Sequence, residues 1–191
     1  NSNSSETRAA SSLFQFPKCG SLERSFVVKF LPTKFDSAWL IEADRHEDER
    51  GFFARTWCQR EFKEYGLNPD LVQCNISYNS KQGTLRGMHF QTAPYEEAKL
   101  IRCTTGSIYD VIVDLRPHSP TYMNWQGFEL SAENRSILYV PEGAAHGFVT
   151  LEPNSEVFYQ MSRVYEPEAS SGFLWKDEKI AIDWKYPVKI V

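Results

Sequence analysis

The chain has 191 residues, 41% hydrophobic and 14% aromatic, which suits one well-buried domain with a tail better than two domains. Its net charge of −4 leaves no basic footprint for a polyanion as large as duplex DNA, so nucleic acid is not an expected partner. No apolar run approaches the roughly 18 residues of a spanning helix and no charged-then-apolar leader opens the chain, so no membrane partner is expected. Cys19, Cys58, Cys74 and Cys103 form no CxxC pair, and three of them sit inside strand or helix patterns. That is the usage of reduced, structural thiols, and the expected location is the cytoplasm. The first residue is Asn1, which reads as trimmed numbering or a fragment.

Residues 1–22 are rich in Ser and Asn with no sustained periodicity, and are expected to be a disordered or loosely ordered tail. The remainder, 23–191, is expected to be one domain. A first strand is placed at Phe26 to Phe30, a second at Trp39 to Glu42, and a charged loop at His46 to Arg50. Gly51 to Trp57 returns to strand character, and Phe52, Phe53 and Trp57 would give it an aromatic face near an edge. Cys58 to Tyr65 reads as the one convincing helix, stopped by Gly66 where a left-handed residue is favoured. From Leu71 onward short runs alternate with turn clusters at Asn79 to Gly83, Gly106, Arg116 to Pro120, Ser131 to Asn134 and Glu152 to Asn154. This spacing is that of an all-β sandwich, jelly roll or small barrel with one short helix.

Chemistry concentrates in Gly83 to Lys99, where an arginine, a histidine and a lysine fall in β-type sequence punctuated by glycine. Alternate residues of a strand share a face. Gln73, Asn75 and Ser77 therefore share one face, Lys99 lies with Ile101, and Tyr159 lies with Val157 and Met161. All of these would point into one barrel mouth. Strict alternation separates Arg86 from His89, so both can face the mouth only if Gly87 marks a bulge or a close backbone approach.

Pro141 to Phe148 resembles the second half of the cupin signature, in which a Pro-x-Gly turn leads to an inward histidine, and Gly83 to His89 resembles the first half. Metal-binding cupins carry His-x-His followed by Glu. Here Gln91 replaces the second histidine, leaving His89, His146 and Glu96 or Glu97 as an alternative ligand set. The motifs Asp48-Glu49-Arg50-Gly51-Phe52-Phe53, Val72-Gln73-Cys74-Asn75-Ile76-Ser77, Leu85-Arg86-Gly87-Met88-His89-Phe90-Gln91, Lys99-Leu100-Ile101-Arg102, Val111 to Arg116, Ser119-Pro120-Thr121 and Pro141 to Phe148 together resemble the dTDP-4-dehydrorhamnose 3,5-epimerase family, from about Trp39 to Trp184. The resemblance implies a metal-independent cupin jelly roll without cofactor, active as a homodimer on a nucleotide-diphosphate 4-keto-6-deoxy sugar.

Carried over position by position, the resemblance implies His89 as general base, Tyr159 as catalytic tyrosine and Lys99 as stabiliser of the enolate. Substrate-binding positions fall on Arg50, Gln73, Asn75, Arg86 and His146, with Tyr165 against the nucleotide base. Arg55 stands where the family has an acid in the substrate region, and Ser170 where an acid follows Tyr165. The family's aspartate partner of the base lies beyond Val191, leaving Asp110 and Asp114 as in-chain candidates to orient His89. The competing readings are an epimerase acting at one carbon or on another nucleotide, a metal-dependent cupin, and a non-catalytic sugar-nucleotide-binding cupin.

Overall fold

A computed structural model describes residues 28–191, so the tail expected at 1–22 and the start of the first strand lie outside the described residues. The regular elements are β1 (Val28–Pro32), β2 (Trp39–Ala43), β3 (His46–Asp48), β4 (Gly51–Phe53), α1 (Gln59–Glu64), β5 (Gln73–Asn79), β6 (Leu85–Gln91), β7 (Lys99–Thr105), β8 (Ser107–Asp114), β9 (Trp125–Ser131), β10 (Ile137–Val140), β11 (Ala144–Thr150), β12 (Ser155–Met161) and β13 (Ser170–Gly172). A six-stranded sheet runs β1-β2-β10-β7-β12-β5, and a five-stranded sheet runs β13-β6-β11-β8-β9. Every strand pair is antiparallel. The fold is the expected all-β cupin jelly roll with one short helix.

Two of the expected elements differ. The charged run at His46 is not a loop but strand β3, paired with β4 through the turn at Arg50. The backbone turn there is closed by Asp48, whose carboxylate accepts from the Arg50 amide and guanidinium. The strand at Gly51 ends at Phe53, and the expected aromatic face is divided. Phe52 sits between the Arg45 and Arg135 guanidinium groups, whereas Trp57 packs on Phe62 of α1. Helix α1 ends as expected, with Gly66 in the left-handed region at φ +69°.

Period-two patterning explains three apolar layers. Inward side chains of both sheets, among them Ile101, Leu138 and Val157 facing Ile108, Ile112 and Phe148, make the central core. Helix α1 and the following Leu67 cover the outer face of β1, β2 and β10 with Phe62, Phe30 and Ile41. On the other side Phe173, Trp175, Ile180, Ile182 and Trp184 of the C-terminal segment cover Met88, Tyr109, Val111 and Val149. Strand β8 is thereby buried on both faces, which is why it reads as a continuous apolar run rather than an alternating one.

Asp114, at the end of β8, is a structural carboxylate and not a partner of His89. It accepts from the Arg116 guanidinium at 2.9 and 2.8 Å, from Ser119 at 2.5 Å and from Thr121 at 2.7 Å. Burial pushes this carboxyl up, but those hydrogen bonds win and hold it well below the usual carboxylate range. A depressed carboxyl stabilises the fold above its unfolded pKa of about 3.9 and loses that contribution as pH falls through the folded value. Asp114→Asn is expected to cost about 3 kcal/mol at pH 7. The gap in melting temperature between variant and parent should hold from pH 7 down to about 4 and narrow only below that, as pH falls toward the depressed folded value.

Candidate functional site

The two sheets part at one end of the sandwich to enclose a cavity of about 880 Å³. Strands that supply the core at one end supply the cavity wall at the other. Along β7 the inward side chains run Lys99, Ile101, Cys103, and along β12 they run Met161, Tyr159, Val157. Tyr159 stands opposite Ile101, and Met161 opposite Lys99. On β5, Gln73, Asn75 and Ser77 also line the cavity, as the alternation predicts.

Arg86 and His89 both line the cavity, and the required irregularity is present on β6. His146 is paired with His89 and Phe148 with Arg86, so two steps on β11 match three on β6. This one-residue bulge is possible because two glycines meet at it. Gly87 has φ +130°, and a Cβ there would lie 2.5 Å from the Gly147 Cα. A Cβ on Gly147 would lie 2.7 Å from Met88 Sδ and 2.9 Å from the Arg86 carbonyl oxygen.

The cavity is basic inside an acidic protein. Arg86, His89, Lys99 and His146 line it, against Glu97 as the one acidic side chain among the described lining residues. Such a cleft concentrates anions. Arg86 is aimed by Asn79, whose Oδ1 accepts from its Nε at 2.7 Å while the Asn79 amide donates to the Ser77 and Ser155 carbonyls. The Lys99 ammonium donates to Glu97 Oε1 at 2.7 Å. His146 Nε2 lies 2.8 Å from Asp110 Oδ2. Asp110 is wholly buried on β8, and burial pushes its carboxyl up against the opposing pull of His146 and Lys99. It therefore serves His146, and neither in-chain candidate orients His89.

Desolvation lowers the His89 pKa, and Lys99, His146 and Arg86 lower it further. The Tyr159 phenol is pushed up by burial, which Glu97 and Tyr165 reinforce and Arg86 opposes. A neutral imidazole and a protonated phenol thus coexist at neutral pH, a proton acceptor and a proton donor on opposite sheets. At the cavity mouth the Tyr165 amide donates to Gln73 Oε1 at 2.9 Å, and Gln73 in turn donates to Asn75 Oδ1 at 3.1 Å.

Of the expected site residues, Gln73, Asn75, Arg86, His89, Lys99, His146, Tyr159 and Tyr165 converge on the cavity. Arg50 and Arg55 do not. Arg50 is exposed at the β3–β4 turn on Asp48, and Arg55 donates to Glu61 Oε1 at 2.6 Å beside the Val28 amide. The alternative metal ligands do not assemble either: Glu96 is absent from the lining, and among the described residues no group of three or more His, Cys, Asp or Glu could hold a metal ion. Gln91 instead pins two loops, donating to the Tyr95 carbonyl and accepting from the Glu166 amide. Ser170 lines the cavity, while Glu166 and Glu168 line a separate hollow with Tyr95. The role of Asn79 went unread because it sits in a turn cluster. Asp110 carried a signal, being a carboxylate in the middle of an apolar strand.

The family model for dTDP-4-dehydrorhamnose 3,5-epimerase matches residues 32–191. The dTDP-4-dehydrorhamnose 3,5-epimerase of Methanothermobacter thermautotrophicus is 44% identical over 163 residues, 85% of this chain and 86% of that protein. The crystal structure of the Bacillus anthracis dTDP-4-dehydrorhamnose 3,5-epimerase with TDP and PPi bound superposes with a TM-score of 0.82 at 43% identity, covering 86% of this chain and 94% of that one. A Legionella pneumophila epimerase in complex with dTDP-4-keto-L-rhamnose gives a TM-score of 0.80 at 33% identity, covering 86% and 87%.

The glycine contact yields a direct test of the site's construction. Gly147→Ala is expected to cost about 2 kcal/mol through overpacking, read as a fall in melting temperature. Because Arg86 and His89 flank the displaced bulge, its affinity for a nucleoside diphosphate should fall well beyond that of an equally destabilised variant in the central core.

Proposed function

This chain belongs to the dTDP-4-dehydrorhamnose 3,5-epimerase family, an isomerase of nucleotide-diphosphate 4-keto-6-deoxy sugars, and we infer that the cavity between its sheets inverts C3, C5 or both. The observation that carries this reading is the placement of His89 on the five-stranded sheet and Tyr159 on the six-stranded sheet, facing one cavity from opposite walls. Stacked sheets stand about 10 Å apart, room for a sugar ring with one residue on each face.

The chemistry follows from the residue types. His89 takes the proton from the carbon next to the C4 ketone, and the electron pair of that C–H bond moves into an enolate. The enolate oxygen is stabilised by the Lys99 ammonium, a preorganised donor. Tyr159 returns a proton to the opposite face, inverting the centre, and solvent restores both groups. Arg86 offers forked donors to the diphosphate, while Gln73, Asn75, His146 and Tyr165 surround the rest of the ligand. Deoxysugar biosynthesis is the process served.

His89→Asn should lower solvent deuterium exchange into the 4-keto sugar about 100-fold to 10,000-fold. Tyr159→Phe should keep exchange and lose inversion, since the enolate still forms and His89 reprotonates the original face. The acidic limb of kcat/KM should lie below the ordinary imidazole value of about 6.5, because a base with a lowered pKa stays neutral to lower pH. Exchange at parental rate in His89→Asn would remove the histidine from the base role.

The reading also includes a homodimer. The outer face of the edge strand β5 is not covered by α1, and Ile76 (63% exposed) and Tyr78 are exposed on it. Contiguous exposed apolar groups on an edge favour pairing. Arg50, away from its own chain's cavity, reaches substrate only from a partner. Light scattering at micromolar concentration should give twice the chain mass, and a monomer would refute the dimer.

A further inference from the structure

We propose that Glu97 is a positioning residue of this reaction: its buried carboxylate holds the Lys99 ammonium on the cavity wall and keeps it from being drawn to the substrate's diphosphate. The proposal rests on the functional reading above. Glu97 lies two residues before Lys99, the first residue of β7, and both line the cavity. The ammonium lies 2.7 Å from Glu97 Oε1, the length of a charge-assisted hydrogen bond, and both side chains are nearly buried. The second oxygen, Glu97 Oε2, is buried with no hydrogen-bond partner among the described residues. The carboxylate is thus committed to a single cation, at the cost of an unsatisfied acceptor.

An acid on the wall of a cavity that takes a diphosphate weakens ground-state binding by like-charge repulsion. Its benefit must therefore lie elsewhere. A lysine carries three rotatable donors on a flexible stem, and a nearby diphosphate competes for it. Held by Glu97, the ammonium stays beside Tyr159 and across from His89, where the enolate oxygen develops. The charged and titratable groups around it are Tyr159 on β12, His89 and Arg86 on β6, His146 on β11 with Asp110 behind it, and Tyr165 at the mouth. Among these, the Glu97 charge also helps the Tyr159 phenol keep its proton.

Glu97→Gln tests this, since it removes the charge while keeping the shape and an acceptor toward Lys99. The expected result is a fall in kcat for deuterium exchange of about tenfold or more, with affinity for dTDP unchanged or tighter. The alkaline limb of the kcat profile should move to lower pH, because Tyr159 loses a neighbour that holds its proton. Glu97→Asp, which keeps the charge, should leave that limb in place. Labelling of Lys99 by acetic anhydride, followed by peptide mass mapping, should accelerate in Glu97→Gln, because the ammonium is no longer held by a buried carboxylate. Unchanged kcat and alkaline limb would overturn the proposal, and so would unchanged labelling or a loss of dTDP affinity in parallel with kcat. Failure of the parent protein to exchange with any nucleotide 4-keto sugar would count against the functional reading alone, and the labelling ratio would still decide the Glu97–Lys99 coupling.

Discussion

The cavity depends on one close approach of backbone to backbone. Gly87 and Gly147 touch where β6 and β11 fall out of step by one residue. Without that extra residue, alternation would send either Arg86 or His89 into the apolar layer that Met88 and Leu85 occupy beneath the C-terminal segment. With it, the Arg86 guanidinium and the His89 imidazole share one wall of the cavity. Small residues are required on both strands, since a Cβ on either glycine collides with the other strand's backbone.

A second constraint is the division of each inward strand face into an apolar and a polar half. Ile101 and Val157 lock the sheets together, while Lys99 and Tyr159, one alternation away, stand in the cavity. Side chains on regular strands are held more rigidly than loop residues, because the ladder and the adjacent core set their direction. Their immediate supports are polar and mostly buried: Asn79 for Arg86, Asp110 for His146, Glu97 for Lys99. Burial acts on both groups: with the neighbouring cations it holds the imidazole of His89 neutral, and with the Glu97 charge it holds the phenol of Tyr159 protonated against the pull of Arg86.

The strand cadence, the helix at Cys58 to Tyr65 and the inward faces of β5, β7 and β12 were legible from alternation, because a strand with one buried face repeats every two residues. Of the eight expected site residues that line the cavity, Gln73, Asn75, Lys99 and Tyr159 lie on these faces. His46 to Asp48 forms a strand where the sequence shows only a charged run, since a short exposed hairpin has no buried face to print a pattern. Arg50 and Arg55 were assigned by family position, which carries no information about which chain's cavity a residue meets. Arg55 is instead spent on Glu61 of α1.

Pairings between distant strands were beyond any local pattern. Asp110, a candidate for His89, serves His146 instead, because β8 and β11 are neighbours in the sheet and place it two residues along β8 from Ile112, the partner of His146. Asn79 gained its role only when Arg86 folded back over it. Local chemistry and the directions of the side chains on each strand were determined by the amino-acid sequence alone, since they depend on residue type and a two-residue period. The sheet order, the position of the bulge and the partner of each buried charge were decided by the tertiary structure, since they depend on which residues far apart in the chain exclude water together.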